Sequence, residues 1–239
     1  MPSIPSITGS QMAQIDAIMM NDVGVNTFQL MELAGYMVAE AARKHLRTTT
    51  PQRILALAGT GGNGGDAMVA ARFLAGWGHD CTVLLTRQHH GYTGIAAHQL
   101  AALDQLHIPV IEPAELESLP EADLIIDGLL GFNLHGNPRG EAARLIALAN
   151  AHPAPTLAID ISSGLNADTG EVGDPCIQAT LTVTLALPKT GLMMAPPEIT
   201  GQILLADIGV PPQVYGRIGV EVAGNLFARS SLLTIRGDR

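Results

Sequence analysis

The sequence predicts an α/β domain built on a mostly parallel sheet with helices on both of its faces. Three observations carry this expectation. From residue 53 onward, short runs that are apolar on both faces alternate with stretches at helical period, as strands buried under helices require. A glycine-rich turn joins the first of these strands to a helix, and two later strands each run into an Asp. No internal repeat or compositional break marks a second domain. The expected layout is therefore one domain over 1–239: two N-terminal helices about 9–47, the core about 53–209 and a tail 210–239.

The elements follow in order. Thr8-Gly-Ser-Gln11 has capping-box spacing, and Met12, Ile15 and Met19 recur behind it at helical intervals. Asn26-Thr-Phe-Gln29 repeats the signal ahead of the stripe Leu30, Leu33, Met37 and Ala41. Strands are expected at Ile54–Ala58, Cys81–Thr86, Leu124–Leu130, Thr156–Ile161, Leu181–Leu187 and Ile203–Ala206. Helices are expected near Asp66–Trp77, Thr93–Leu106 and Glu141–Asn150. The last two strands have no long helix between them, so an antiparallel or mixed end to the sheet is expected there. The tail 224–239 carries no readable motif and is expected to be partly disordered.

Composition bounds the function. The 239 residues carry a net charge of −9, 47% are hydrophobic, and only 15% are charged, which is the balance of a packed chain rather than a disordered one. One Trp, three Tyr and four Phe, with no basic face, exclude the stacking and charge that nucleic-acid binding uses. Two cysteines, Cys81 and Cys176, make no disulfide framework and read as reduced core residues. No apolar run reaches the ~18–20 residues of a membrane span, and no signal peptide is evident. A cytoplasmic protein is expected.

The sharpest feature is Gly59-Thr-Gly61-Gly62-Asn63-Gly64-Gly65-Asp66, where Gly59, Gly61 and Gly64 match G-x-G-x-x-G between a strand and a helix. Such a loop lets backbone N–H groups at a helix start meet an anion; a tight turn without a ligand is the plainer alternative. A dinucleotide-dependent oxidoreductase would place an acidic residue ~20 positions on, at the end of the second strand. Leu84-Leu-Thr-Arg87 has none, and Asp66 would repel a pyrophosphate seated in the usual way. Asp127 and Asp160 end two later strands, so in a parallel sheet both reach the edge that holds the glycine loop. Either alone equally suits a turn cap. The Asn63 amide, the Asp127 carboxylate and the Ser163 hydroxyl together suit a hard cation. Lys189, one of only two lysines, follows a strand in Leu-Pro-Lys-Thr-Gly. It is either a solvated charge or a partner for phosphate or a carboxylate. His89-His90 reads as a solvated turn.

These residues resemble the NAD(P)H-hydrate epimerase family, the YjeF N-terminal domain family, from about Thr8 to Ile208. The resemblance rests on six ordered motifs: Leu30-Met-Glu-Leu-Ala-Gly35, Gly61-Gly-Asn-Gly-Gly-Asp66, Ile126-Asp-Gly-Leu-Leu-Gly131, Asp160-Ile-Ser-Ser-Gly-Leu-Asn-Ala-Asp-Thr-Gly170, Thr182-Val-Thr with Pro188-Lys189, and Asp207-Ile-Gly209. It implies a Rossmann-like three-layer sandwich that interconverts the R and S forms of nicotinamide cofactor hydrated at C6. It assigns substrate contact to Gly62, Asn63, Gly64, Gly65 and Asp66, to Gly131, Phe132, Asn133, Leu134, His135, Gly136 and Asn137, and to Asp160. It implies one potassium ion per subunit on Asn63, Asp127 and Ser163, and a separate ATP- or ADP-dependent dehydratase that repairs the S form. Asp160 is the expected acid/base, with Lys189 positioning or tuning it. A homodimer through the apolar N-terminal helices is a further expectation. The chain departs from the family pattern at Gly62, Ala67, Phe132, Asn133 and Ser162, which bears on substrate preference more than on fold. The competing reading is a non-catalytic binding module of the same fold.

Overall fold

The computed structural model describes residues 4–48, 50–113 and 116–237. Both capping boxes form as expected. Thr8 starts helix α1 (Gly9–Ile18), which runs into one π-helical turn over Met19–Val23, and Asn26 starts α2 (Thr27–Leu46). Met12, Ile15 and Met19 are all buried. The buried stripe of α2 runs through Leu30, Met31, Ala34, Met37, Val38 and Ala41, while Leu33 turns outward and is exposed.

The sheet contains β1 (Arg53–Ala58), β2 (Asp80–Leu85), β3 (Val110–Ile111), β4 (Leu124–Gly128), β5 (Thr156–Ile159), β6 (Leu181–Leu185), β7 (Gln202–Ala206) and β8 (Leu232–Arg236). Its order is β3-β2-β1-β4-β5-β6-β7-β8. All neighbours are parallel except β7 and β8. Helices α3 (Gly62–Gly76), α4 (Gly94–Gln105) and α5 (Gly140–Ala151) complete the crossovers. Strand residues alternate between two cores. Ile54, Ala56 and Ala58 of β1 pack with α1 to α4, whereas Leu55 and Leu57 pack with Leu145 and Ile146 of α5. Three layers result, as predicted.

The sheet's far end is mixed, one of the two arrangements expected, but its antiparallel pair is not β6 with β7. β6 and β7 are parallel, because the segment between them, with α6 (Thr190–Met194) and α7 (Pro197–Thr200), is long enough for a crossover. The antiparallel edge comes instead from the tail, where α8 (Pro212–Arg217) leads to β8. Arg236 of that strand donates to the Met193 and Ala195 carbonyls and to Thr200 Oγ1. The tail is thus a structural strap over the crossover, not a loose end; Asp238 and Arg239 lie outside the described residues.

Strand order reverses direction at β1, with β2 on one side and β4 on the other. In open α/β sheets the crevice at the carboxyl ends of such a pair is where ligands bind. The glycine loop sits there, and α3 begins four residues earlier than predicted because Gly62–Gly65 form its first turn. A Cβ on Gly64 would lie 1.8 Å from the Gly59 carbonyl oxygen. Glycine at this position therefore serves helix-to-strand packing, whereas Gly61 and Gly62 face open space. Gly64→Ala is expected to cost about 3 kcal/mol or more, since backbone rather than a side-chain tip must move. Denaturant unfolding checks this.

Candidate active site

The chain leaves β5 through Asp160, which adopts φ 65°, an uncommon left-handed backbone for a residue with a Cβ. That turn aims the carboxylate back over the sheet edge. Asp160 Oδ1 accepts from Lys189 Nζ at 2.5 Å, the Leu185 amide at 3.0 Å and Thr184 Oγ1 at 3.3 Å. Among the described residues, Oδ2 takes no hydrogen bond. Lys189 is fully buried and gives its other two protons to the Leu185 and Leu187 carbonyls. A buried ammonium is tolerable only when so satisfied. Its loop is clamped by the N-terminal segment: the Ile7 amide donates to Pro188 and the Thr190 amide donates to Ile7.

Asp160 and Lys189 line a cavity of about 190 Å³. One wall is the sheet edge with Gly62, Asn63, Asp66, Phe132, Leu185 and Ile208; the other is helical, with Met12, Asp16, Met20, Thr27, Leu30, Met31 and Ala34. The Phe132 ring lies 5.9 Å from Lys189 Nζ, so the bulk noted in the sequence forms part of this wall.

Two further carboxyl groups face the cavity without a hydrogen bond among the described residues. Burial, reinforced by Asp160 and Asp16, holds the Asp66 carboxyl well above the usual range. A carboxyl so shifted holds its proton more tightly than the free group, which weakens the objection raised from the sequence. Burial also raises Asp16 to about 6, with Lys189 opposing and Asp160 adding to the rise. The folded state holds that proton more tightly than the unfolded chain. Its stabilising effect is full below 3.8 and is lost as pH rises through about 6.

Behind the cavity, Asp127 is fully buried and has no ion-pair partner among the described residues. Its carboxylate accepts from Ser163 Oγ at 2.6 Å, the Ser163 amide at 2.9 Å and the Leu129 amide at 3.2 Å. Asn63 Nδ2 donates to the Leu130 and Ile159 carbonyls, and Ser163 Oγ also reaches the Leu130 carbonyl. The three residues predicted as cation ligands thus share one oxygen-rich neighbourhood with a single uncompensated charge. That donor set would suit a hard cation. Burial raises the Asp127 carboxyl to about 6, against the Ser163 hydrogen bonds. A bound cation would offset that cost.

The sequence-predicted residues separate as follows. Gly62, Asn63, Asp66, Phe132, Asp160 and Lys189 line the cavity. Gly64 and Gly65 pack inward against Gly59 and Met31, and Gly131 lies against the Asn63 amide. Asn133, His135, Gly136 and Asn137 are exposed and Leu134 is half-buried; all five lie outside the cavity. His89 is exposed and paired with Asp104, and no His, Cys, Asp or Glu cluster suited to a metal occurs among the described residues. Both cysteines are free and buried. Of the helical wall, Leu30, Met31 and Ala34 fall in the motif Leu30–Gly35 already noted in the sequence, whereas Asp16 had no signal beyond the period of α1.

The chain is similar to several known proteins. Residues 27–191 match the family described as YjeF-related protein N-terminus. An NAD(P)H-hydrate epimerase of Dehalogenimonas lykanthroporepellens is 37% identical over 92% of this chain and 88% of its own. One from Rhodopirellula baltica is 33% identical over 91% and 89%. A bifunctional NAD(P)H-hydrate repair enzyme, Nnr, of Hyperthermus butylicus is 39% identical over 90% of this chain, which spans 40% of that protein. The crystal structure of yeast ynu0 superposes with a TM-score of 0.84 at 24% identity, covering 97% of this chain and all of the other, and supports the fold. With a matched segment running from α2 through the Asp160 turn to the start of α6, and with relatives aligned over nearly the whole chain, this protein belongs to the YjeF-related N-terminus family.

Proposed function

We infer that the protein is an isomerase that interconverts the R and S hydrates of NADH and NADPH. The observation that carries the reading is the buried Asp160–Lys189 pair, with one carboxylate oxygen left free in a small, mostly apolar cavity at the sheet's switch point. The cavity suits the hydrated nicotinamide ring. The remainder of the dinucleotide extends past the start of α3, where Gly61 and Gly62 leave open space, toward the exposed loop 131–137.

Inversion at C6 requires the hydroxyl to leave as water and another water to add to the other face. The ring nitrogen lone pair stabilises the cation between the two steps. Asp160 gives a proton to the oxygen leaving C6 or takes one from the water that adds, and Lys189 positions Asp160 by fixing Oδ1 so that Oδ2 meets the substrate. Asp66, whose carboxyl burial holds well above the usual range, faces the ligand from the first turn of α3. The apolar helical wall excludes bulk water from the cation. No hydride donor or acceptor is needed, in keeping with the absence of a carboxylate at the end of β2.

Asn63, Asp127 and Ser163 would hold a potassium ion, whose charge would fix this part of the strand edge. Asp127→Asn is expected to abolish any potassium dependence of activity and thermal stability. Titration of wild type and Asp127→Asn against KCl at constant ionic strength checks this; equal potassium responses would remove the ion from the account. The S form would pass to an NAD(P)H-hydrate dehydratase. A homodimer through the exposed Phe28 and Leu33 side of α2, in the cytoplasm, belongs to the same reading; no helix among the described residues is long and apolar enough to cross a membrane. Chiral separation of the hydrates after incubation of pure R form with the protein tests the reading. An unchanged rate of S formation would leave a binding module of the same fold.

A further inference from the structure

We propose that Asp16 of α1 is a second catalytic acid/base group, serving the ring face opposite the one that Asp160 serves. The proposal rests on the epimerase reading and extends it. Inversion exchanges oxygen between two faces of one carbon, whereas a single fixed carboxyl reaches only one of them. The cavity offers carboxyls from two walls: Asp160 from the sheet edge, and Asp16 from the helix that closes the other side. Asp16 is otherwise unexplained. It is half-buried, lines the cavity beside Met12 and Met20, and its carboxyl takes no hydrogen bond or ion pair among the described residues. A carboxylate placed there costs desolvation for no structural return. The charged groups that act on it are Lys189, which favours its ionised form, and Asp160, which disfavours it; Asp66 senses it in turn.

The step balances without oxidant or reductant. When the hydroxyl faces Asp16, protonated Asp16 gives its proton to that oxygen. The C6–O bond breaks with its electron pair leaving on water, and the ring nitrogen lone pair forms a double bond to C6. A water on the Asp160 side then adds through its oxygen lone pair, reclaiming the double bond for nitrogen, and Asp160 takes the released proton. One water leaves, one enters, and one proton passes from Asp16 to Asp160. The opposite isomer runs the same steps with the two residues exchanging roles.

The test compares inversion with oxygen exchange. R and S hydrates are incubated separately in ¹⁸O-water with wild type, Asp16→Asn and Asp160→Asn, and isotope content and chirality are read by mass spectrometry after chiral separation. Asp16→Asn should slow inversion by roughly 10²-fold or more while still exchanging oxygen, with retention, in the isomer whose hydroxyl faces Asp160. Asp160→Asn should exchange only the other isomer. The ratio of inversion to exchange does not depend on how much enzyme is folded, and Asp16→Ala supplies a second reading of it. Unchanged inversion in Asp16→Asn, or equal slowing of inversion and of exchange in both isomers, overturns the proposal. A wild type that accelerates neither process overturns the epimerase reading itself, a separate and recognisable outcome.

Discussion

Asp160→Asn is expected to lower R-to-S conversion by about 10²–10⁴-fold, the range that loss of a positioned acid/base group produces. Asn is a well-matched probe because it tolerates the left-handed backbone that Asp160 adopts, so the turn after β5 persists. It still accepts from the Leu185 amide. What it loses is the charge that balances Lys189, a side chain with no exposed surface. Removing one partner of a buried pair costs about 3–5 kcal/mol, so thermal unfolding should fall together with activity. Steady-state kinetics on the folded fraction, with circular dichroism to quantify that fraction, separates the two losses.

Lys189→Met is expected to be comparably destabilising for the mirror-image reason, leaving Asp160 buried without its cation. Asp160→Asn combined with Lys189→Met is the informative variant. Both charges are then gone, so most of the lost stability should return, as it does when whole buried pairs are replaced. Activity should not return with it. A double variant as unstable as either single one would mean that the hydrogen bonds to Leu185 and Leu187, not the charge pair, secure this loop. Denaturant melts of the four proteins make the cycle.

Much of this site was legible in the residues because its parts follow one-dimensional rules. Asp127 and Asp160 end apolar runs, and parallel strands bring all such ends to one edge. Gly59, Gly61 and Gly64 sit where a strand must turn directly into a helix, and Lys189 stands out in a chain with one other lysine. The parts that stayed hidden depend on three-dimensional packing. Asp16 occupies a polar-looking position on α1, and only the docking of α1 against the sheet edge makes it part of a cavity. Asp66 reads as an ordinary carboxylate in sequence, and only its burial in the structure raises it well above the usual range. β8 is five residues long and mixes Thr and Arg with its apolar positions; it forms because β7 offers an open edge. The direction of β7 turned on whether two short helices suffice for a crossover, which helical period alone does not reveal. The glycines divide likewise: their spacing announced a turn, but only the close approach of Gly64 to Gly59 tells packing from ligand contact.

The central claim is that this cavity inverts C6 of hydrated nicotinamide nucleotides, and one measurement addresses it directly. Mixed R and S NADH hydrate is supplied with ATP, an excess of S-specific dehydratase and potassium buffer, and the decay of the R form is followed with and without the protein. The account predicts that R disappears far faster than it epimerises spontaneously, and that Asp160→Asn removes the acceleration. Persistence of R at the spontaneous rate in the presence of folded wild-type protein would contradict it.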